Sequence, residues 1–449
     1  MATDMTTGNP TKILWKFSIP MLVSVMFQQL YNIADSVIAG KYAGEAALAA
    51  VGASYPITMI FMAVAVGTNI GCSVIVSQLF GAKKLGRMKT AVTTTFCACF
   101  VMSAVLTLVG LLFSRNMMQL VNTPMDIMED GNLYLKIYIA GLIFLFFYNV
   151  CTGIFTALGD SKTPLYFLIL SSIGNIVLDL LFVAVFKWGV AGVAWATFIA
   201  QGISSVLAFI VLIKRLNEMK IEEKSVFFDL KMLGKVSIVA VPSILQQSFI
   251  SIGNMFIQSL VNGYGPSVIA GYSAAIKLNT FAITSFTTLA NGLSSFTAQN
   301  IGAGKYDRVK KGYKSALFMA IVVVTPFFLL YFIGSTFMMG IFVDAQEGKG
   351  AILAGVKFLT IVTPFYYMVV LKLMSDGVLR GAGAMGCFMV TTFTDLILRV
   401  ILAYVFSVPM GMGEAGIWKS WPYGWSISAI LSIIFYLSGK WKPKENNFK

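Results

Sequence analysis

The chain has 449 residues, 57% of them hydrophobic and 12% charged, with a formal net charge of +14 and no histidine. A soluble domain carries about a quarter charged residues. Here the apolar residues come in runs of membrane-spanning length, so a soluble globular enzyme and a disordered chain are both excluded. The lack of histidine also removes HExxH zinc sites, Ser-His and Cys-His dyads and haem-ligating imidazoles.

Taken in chain order, the apolar runs predict twelve spans, near residues 13–39, 46–79, 90–113, 131–157, 164–186, 189–213, 232–262, 266–299, 314–337, 351–379, 384–407 and 416–439. The connections are short and leave no room for a large soluble domain. Positive charge gathers in alternate connections. The second holds Lys83, Lys84, Arg87 and Lys89; the fourth Lys162; the sixth Lys214, Arg215, Lys220, Lys224 and Lys231; the eighth Lys305, Arg308, Lys310 and Lys311. Arg380 adjoins the tenth, and Lys440, Lys442, Lys444 and Lys449 lie in the tail, whereas the third connection carries Asp126, Glu129 and Asp130. The positive-inside rule then places the even connections and both termini in the cytoplasm of a multi-pass protein of the cell (inner or plasma) membrane. That bias accounts for the net charge without a nucleic-acid partner; the bilayer is the expected macromolecular environment. Met1–Pro10 leads straight into the first span with no small-residue cleavage site, so that span is expected to stay in the mature protein. The five cysteines form no CxxC and are expected to pack, not to bind metal, and no cofactor is expected.

A self-match appears at an offset of 221 residues. Gln78, Gly81, Ala82, Lys84, Arg87 and Lys89 fall on Gln299, Gly302, Ala303, Lys305, Arg308 and Lys310. Gly44 falls on Gly265, Ala49 on Ala270, and Pro20 lies one residue from register with Pro242. With a small gap, Gly153-Ile-Phe-Thr-Ala-Leu-Gly159 resembles Gly377-Val-Leu-Arg-Gly-Ala-Gly383. Six spans precede the charged connection at 214–231 and six follow it. The expected fold is therefore all-α and integral to the membrane, with twelve transmembrane helices in two six-helix lobes, residues 1–220 and 221–449. An even number of spans per half implies a pseudo-two-fold along the membrane normal and a cavity between the lobes, an architecture suited to alternating access by a monomer. No GxxxxGK[ST] motif occurs, so the chain does not hydrolyse ATP through a P-loop.

Ionisable side chains within spans are costly and mark functional candidates. Asp35, Asp179, Asp376 and Asp395 lie well inside the predicted spans. Gln28, Tyr31 and Asn32 precede Asp35 by seven, four and three residues and share its helical face, while Pro20 removes a backbone hydrogen bond from the same span and makes a hinge plausible. Asn175 lies one turn before Asp179. A buried carboxylate in such a stripe suits ion coupling or substrate contact; the alternative is a structural hydrogen bond between helices. In the second half, Asp395 and Arg399 take the places of Asn175 and Asp179 and form a ready ion pair at four-residue spacing. Asp376 stands one turn from both Lys372 and Arg380 and is expected to pair with them; Lys277 has no local partner and either lines the cavity or pairs across helices.

These residues are where the sequence resembles the multidrug and toxic compound extrusion (MATE) transporters. The likeness rests on Phe17-Ser-Ile-Pro20, Asp35, Gln78-x-x-Gly-Ala-x-x-x-x-x-Arg87, Gly153-x-x-x-Ala-Leu-Gly-Asp-Ser-Lys-Thr-Pro164, Asn175-Ile-Val-Leu-Asp179, Gly189-Val-Ala-Gly-Val-Ala-Trp-Ala-Thr-x-x-Ala-Gln201 and Gly377–Gly383. The resemblance implies extrusion of amphipathic, often cationic compounds in exchange for H⁺ or Na⁺. It implies an ion-coupling network at Asp35, Asn175, Asp179 and Thr197, with Tyr138 matching a tyrosine of the fourth span, and bending of the first helix at Pro20. Members with a C-lobe cation site carry an acid on the seventh span. Residues 236–262 here contain no Asp or Glu, and the matching position on the tenth span, near Val369, is apolar. The expected function is thus a secondary active antiporter for small organic substrates, not an enzyme. Gln28, Tyr31, Asn32, Lys277, Asp376, Asp395 and Arg399 are candidates for its substrate cavity. A flippase for lipid-linked precursors or a narrow-substrate metabolite exporter on the same fold is the alternative.

Overall fold

In the computed structural model, residues 3–219, 223–342 and 348–442 are described, the side chains of residues 36, 37, 39, 45 and 46 excepted. Lys220, Lys444, Lys449 and the expected cut between residues 220 and 221 lie outside them. Every regular element among the described residues is helical. Helix α1 spans Pro10–Ile38, α2 Glu45–Gly81, α3 Leu85–Leu120, α4 Met128–Ala140, α5 Leu142–Ala157, α6 Lys162–Asp179, α7 Gly189–Glu218 and α8 Leu230–Asn262. Then follow α9 Pro266–Gly302, α10 Tyr306–Phe328, α11 Ser335–Gly340, α12 Lys349–Val362, α13 Tyr366–Gly381, α14 Met385–Ser407 and α15 Glu414–Leu437. π-helical turns at Ala39–Ala43, Leu180–Val185 and Leu329–Ile333 extend α1, α6 and α10.

Nine of these segments are long and apolar enough to cross a bilayer, and α4 with α5, bent by 49°, makes a tenth. Helices α9 and α15 complete the twelve expected spans but are less apolar. Helix α9 buries Ser285, Thr288, Ser294, Ser295, Thr297, Gln299 and Asn300, and α15 buries Ser420, Ser428 and Ser432. A helix shielded by its neighbours tolerates hydroxyls that lipid would not, because each can bond a backbone carbonyl one turn back. The lipid-facing helices show the opposite: Leu108, Leu112 and Phe113 of α3 are exposed apolar side chains.

The chain forms two compact units. The first comprises Met1–Asp4 with Ile19–Ser248, the second Met5–Ser18 with Phe249–Lys449. The units therefore differ from the expected halves at both ends, and the glycines show why. A Cβ on Gly71 of α2 would stand 2.5 Å from Ala240 Cβ, so the start of α8 lies directly against α2 in the first unit. At the equivalent Gly292 of α9 a Cβ would stand 2.9 Å from Ser18 Oγ, so the start of α1 lies against α9 in the second. Val226 and Asp229, ahead of α8, donate their amides to Thr90 and Thr94 of α3 at 2.9 and 3.1 Å, which seats the linker in the first unit as well.

The repeat is exact in backbone geometry where it is faint in sequence. Gly44 and Gly265 open α2 and α9 at φ/ψ of 93°/170° and 90°/169°, conformations open to glycine. Both helices run 37 residues, and Lys84 and Lys305 then open α3 and α10 with φ/ψ of −88°/69° and −94°/62°. Gly153 lets α5 approach Asn69, and Gly377 lets α13 approach Ala290, positions that are themselves 221 apart.

Candidate functional site

The first unit brings Asp35 and Asp179 together. Asp35 lies one turn before the π-helical turn at Ala39–Ala43, and Asp179 is the last α-helical residue before the turn at Leu180–Val185. Such turns widen a helix and recur at functional sites. The two carboxyl groups act on one another both through charge and at hydrogen-bonding range. Asp179 is 1% exposed, and among the described residues no donor reaches either of its oxygens or Oδ1 of Asp35. Two ionised carboxylates are acceptors only, so they cannot bond to each other until a proton lies between them.

The polar groups around this pair come from four helices, α1, α4, α6 and α7. Asn175, also buried, extends Nδ2 to Thr197 Oγ1 at 3.5 Å and leaves Oδ1 without a protein donor. Thr197 Oγ1 donates to the Val193 carbonyl at 3.1 Å. Tyr31, one turn before Asp35, lies within electrostatic range of both carboxyl groups. Tyr134 of α4 also feels both. Tyr138 stands one turn further along, with Tyr134 and Tyr55 as its electrostatic neighbours. Of the two tyrosines on α4, it is Tyr134 that faces the pair. The sequence signal for it was the four-residue spacing that puts 134 and 138 on one face. Tyr134, Tyr138, Thr197, Phe198 and Gln201 line a small cleft with room for about one water molecule. Gln28 is exposed, and Asn32 shares the Asp35 face of α1. Pro20 lies within an unbroken α1, where Ser24 Oγ donates to the Pro20 carbonyl at 2.9 Å, two residues after the chain passes from the second unit to the first.

The second unit treats its buried charges differently. Lys372 Nζ donates to Asp376 Oδ2 at 2.8 Å, and Thr391 and Ser432 donate to Oδ1 at 2.9 and 2.7 Å, so Asp376 is fully partnered. Arg380 does not join it. It donates to Asn291 Oδ1 and lies over the Phe388 ring. The expected Asp395–Arg399 pair does not form either. The Arg399 guanidinium stacks on Trp421 at 4.4 Å and reaches Asn254 Oδ1 at 3.5 Å, leaving Asp395 Oδ1 without a donor. The flat guanidinium lies on the indole face, where stacking and cation–π attraction hold it. Gly424 lets α15 come within contact of Asp395. Lys277 is exposed on α9 and makes no ion pair or hydrogen bond among the described residues.

Twelve spans in two repeated units, with an acid pair buried in one of them, are the architecture of a multi-pass membrane transporter. The profile of the MatE family matches residues 20–181 and 242–405, and the chain belongs to that family. It is 28% identical over 444 residues, 98% of each chain, to the probable multidrug resistance protein YpnP of Bacillus subtilis (strain 168). With the probable multidrug resistance protein YoeA of the same strain it shares 25% over 437 residues, 96% of this chain and 94% of that one. Among solved structures, a MOP superfamily transporter from Pyrococcus furiosus superposes with a TM-score of 0.90 over 99% of both chains at 22% identity.

Proposed function

We propose that the protein is a secondary active exporter that exchanges amphipathic, cationic organic compounds for H⁺, with Asp35 and Asp179 as the ion-carrying pair. The observation that carries this reading is the pair itself: two carboxyl groups side by side inside apolar helices, with no donor among the described residues at three of their four oxygens. Two adjacent negative charges in a low-dielectric interior repel strongly and are poorly solvated. One proton converts the repulsion into an O–H···O⁻ hydrogen bond and halves the buried charge. A cationic substrate or a sodium ion nearby would relieve the same strain, which is why proton and substrate compete for one state of the site.

The remaining residues set the geometry. Thr197 and Asn175 hold α6 against α7, while Tyr31 and Tyr134 offer hydroxyls toward whichever carboxylate remains charged. Protonation removes the repulsion between α1 and α6, and α1 carries Pro20 on one side of Asp35 and a π-helical turn on the other, the two places where its ladder is already interrupted. Basic connections in the cytoplasm of a cell membrane supply the orientation, and a membrane potential adds about 2.3 kcal/mol per net charge moved per 100 mV. The names of the B. subtilis relatives support a multidrug substrate range. Lys372 is engaged by Asp376, Lys357 by Glu414 and Arg399 by Trp421, which argues against a flippase that recognises a pyrophosphate headgroup.

The test is transport of a fluorescent organic cation into or out of proteoliposomes under a pH gradient and, separately, a sodium gradient. Proton-driven flux that disappears in Asp35→Asn is expected. Sodium-driven flux that persists in Asp35→Asn would overturn the assignment.

A further inference from the structure

The connection between α7 and α8 is seated on α3 by its main chain. Val226 N–H donates to Thr90 Oγ1 at 2.9 Å and Asp229 N–H to Thr94 Oγ1 at 3.1 Å, two hydroxyls one helical turn apart. Thr93 Oγ1 donates to the Val226 carbonyl at 3.5 Å. At the start of α3, Gly86 N–H donates to Glu223 Oε2 at 3.1 Å. A Cβ on Gly86 would stand 2.6 Å from Glu223 Cβ, so the connection lies directly on the helix there. Asp229 then opens α8: its Oδ1 accepts the Lys231 amide at 2.8 Å, the bond of a helix N-cap. All of these residues belong to the first unit.

What the connection presents outward is unlike a loop in water. Val226, Phe227, Phe228 and Leu230 are exposed, Phe227 and Leu230 at 73% each. Around them Lys224, Lys231 and Lys235 are exposed and make no ion pair among the described residues. The two acids of the stretch, Glu223 and Asp229, each accept a backbone amide instead. Lys231, Lys235, Ile238 and Leu245 are exposed on one face of α8, and that face passes from charge to hydrocarbon within two turns. Irregular backbone survives at the edge of a bilayer only where protein satisfies its polar groups, and the threonines of α3 do so here. Phenylalanine and leucine enter the boundary between headgroups and acyl chains, and a lysine stem carries its ammonium out to the phosphates.

We infer that residues 223–235 form a lipid-binding surface. Val226, Phe227, Phe228 and Leu230 insert at the headgroup–acyl boundary, and Lys224, Lys231 and Lys235 hold anionic phospholipid headgroups. Lipid is the occupant because the apolar run leads into the apolar face of α8 and the side chains left unpaired around it are cationic.

The test places a bimane fluorophore on Phe227→Cys and, separately, on Val226→Cys, which keeps both phenylalanines. The full chain carries Cys97→Ala and Cys387→Ala, which removes the two cysteines that are not fully buried. It is reconstituted in phosphatidylcholine vesicles containing equal small fractions of either phosphatidylglycerol or phosphatidylcholine with a nitroxide near the headgroup. Quenching is expected at both positions. Phosphatidylglycerol should quench about threefold or more better than phosphatidylcholine, since each lysine near an anionic surface favours it by up to about fivefold. Lys224→Gln with Lys231→Gln and Lys235→Gln should remove that preference, as should about 1 M salt, which shortens the screening length to about 3 Å. A label that neither lipid quenches places the surface in water, against a soluble partner or a second copy of the chain, and overturns the proposal. Equal quenching by the two lipids, or a preference that survives the triple substitution, overturns the anionic site. No readout here depends on transport, so failure of the ion-coupling reading leaves the test intact.

Discussion

Asp179 in the first unit and Asp376 in the second are both buried inside apolar helices, yet their surroundings are opposite. Asp376 has a lysine and two hydroxyls on its oxygens, each within 2.9 Å. Asp179 has another carboxyl group and no donor among the described residues. The repeat makes the contrast sharper, because the second-unit counterpart of Asp179 is Arg399, a permanent cation parked on Trp421. In the second unit Asp376 is balanced by its own neighbours, although Asp395 Oδ1 has no donor among the described residues. The first unit keeps an acid pair without such partners among the described residues, and the proposed ion coupling rests on it.

The comparison can be broken from either side. The largest effect should come from the first unit: Asp35→Asn or Asp179→Asn should lower proton-driven flux by about 100-fold or more, as loss of an essential proton carrier does, while thermal stability in detergent stays the same or rises because the repulsion is gone. If stability collapses instead, the pair is structural. In the second unit the outcome should invert. Asp376→Ala strands a buried Lys372 and should cost about 3–5 kcal/mol, seen as a lowered melting temperature. Replacing both partners with Lys372→Met and Asp376→Leu should recover most of that loss.

A partnered acid outside the spans gives a smaller effect with a defined pH dependence. Asp160, between α5 and α6, is buried, which alone would raise its affinity for a proton. Hydrogen bonds from Thr163 and Arg215, together with the charge of Arg215, outweigh this and hold its carboxyl below the usual carboxylate range. Its contribution is therefore present above the unfolded value of about 3.9 and lost as pH falls through the folded value. Asp160→Asn should cost about 1.5–3 kcal/mol at neutral pH, and the gap from wild type should close on acidification; a gap that widens in acid would contradict the assignment. The smallest effect tests the tyrosines. Tyr134→Phe should weaken coupling-ion binding by a few-fold, about 1 kcal/mol for one lost hydrogen bond, and Tyr138→Phe by less, read from the concentration of protons needed for half-maximal flux.

Much of this was visible in the chain. Runs of apolar residues give the helices because lipid leaves no other way to satisfy the backbone. Asp35 and Asp179 stand out because an acid in such a run is expensive, and the Gly44/Gly265 pair exposes the repeat because a helix start at φ near +90° favours glycine. The selection of Tyr134 over Tyr138 was not visible, since both lie on one face of α4 and only the packing of α1 and α6 chooses between them. The same holds for Arg399: four-residue spacing offers it Asp395, and an indole twenty-two residues downstream takes it instead.

What the sequence determined by itself is everything that depends on the medium and on local backbone chemistry: the spans, the repeat, the basic connections and the cost of each buried acid. What only the tertiary structure decided is partnership. Whether a buried acid meets a lysine or a second acid, and which unit claims the starts of α1 and α8, both depend on contacts between residues far apart in the chain. Those contacts are set by close approach at glycines such as Gly71 and Gly292, whose effect is the absence of a side chain and which therefore leave no periodic trace in the sequence.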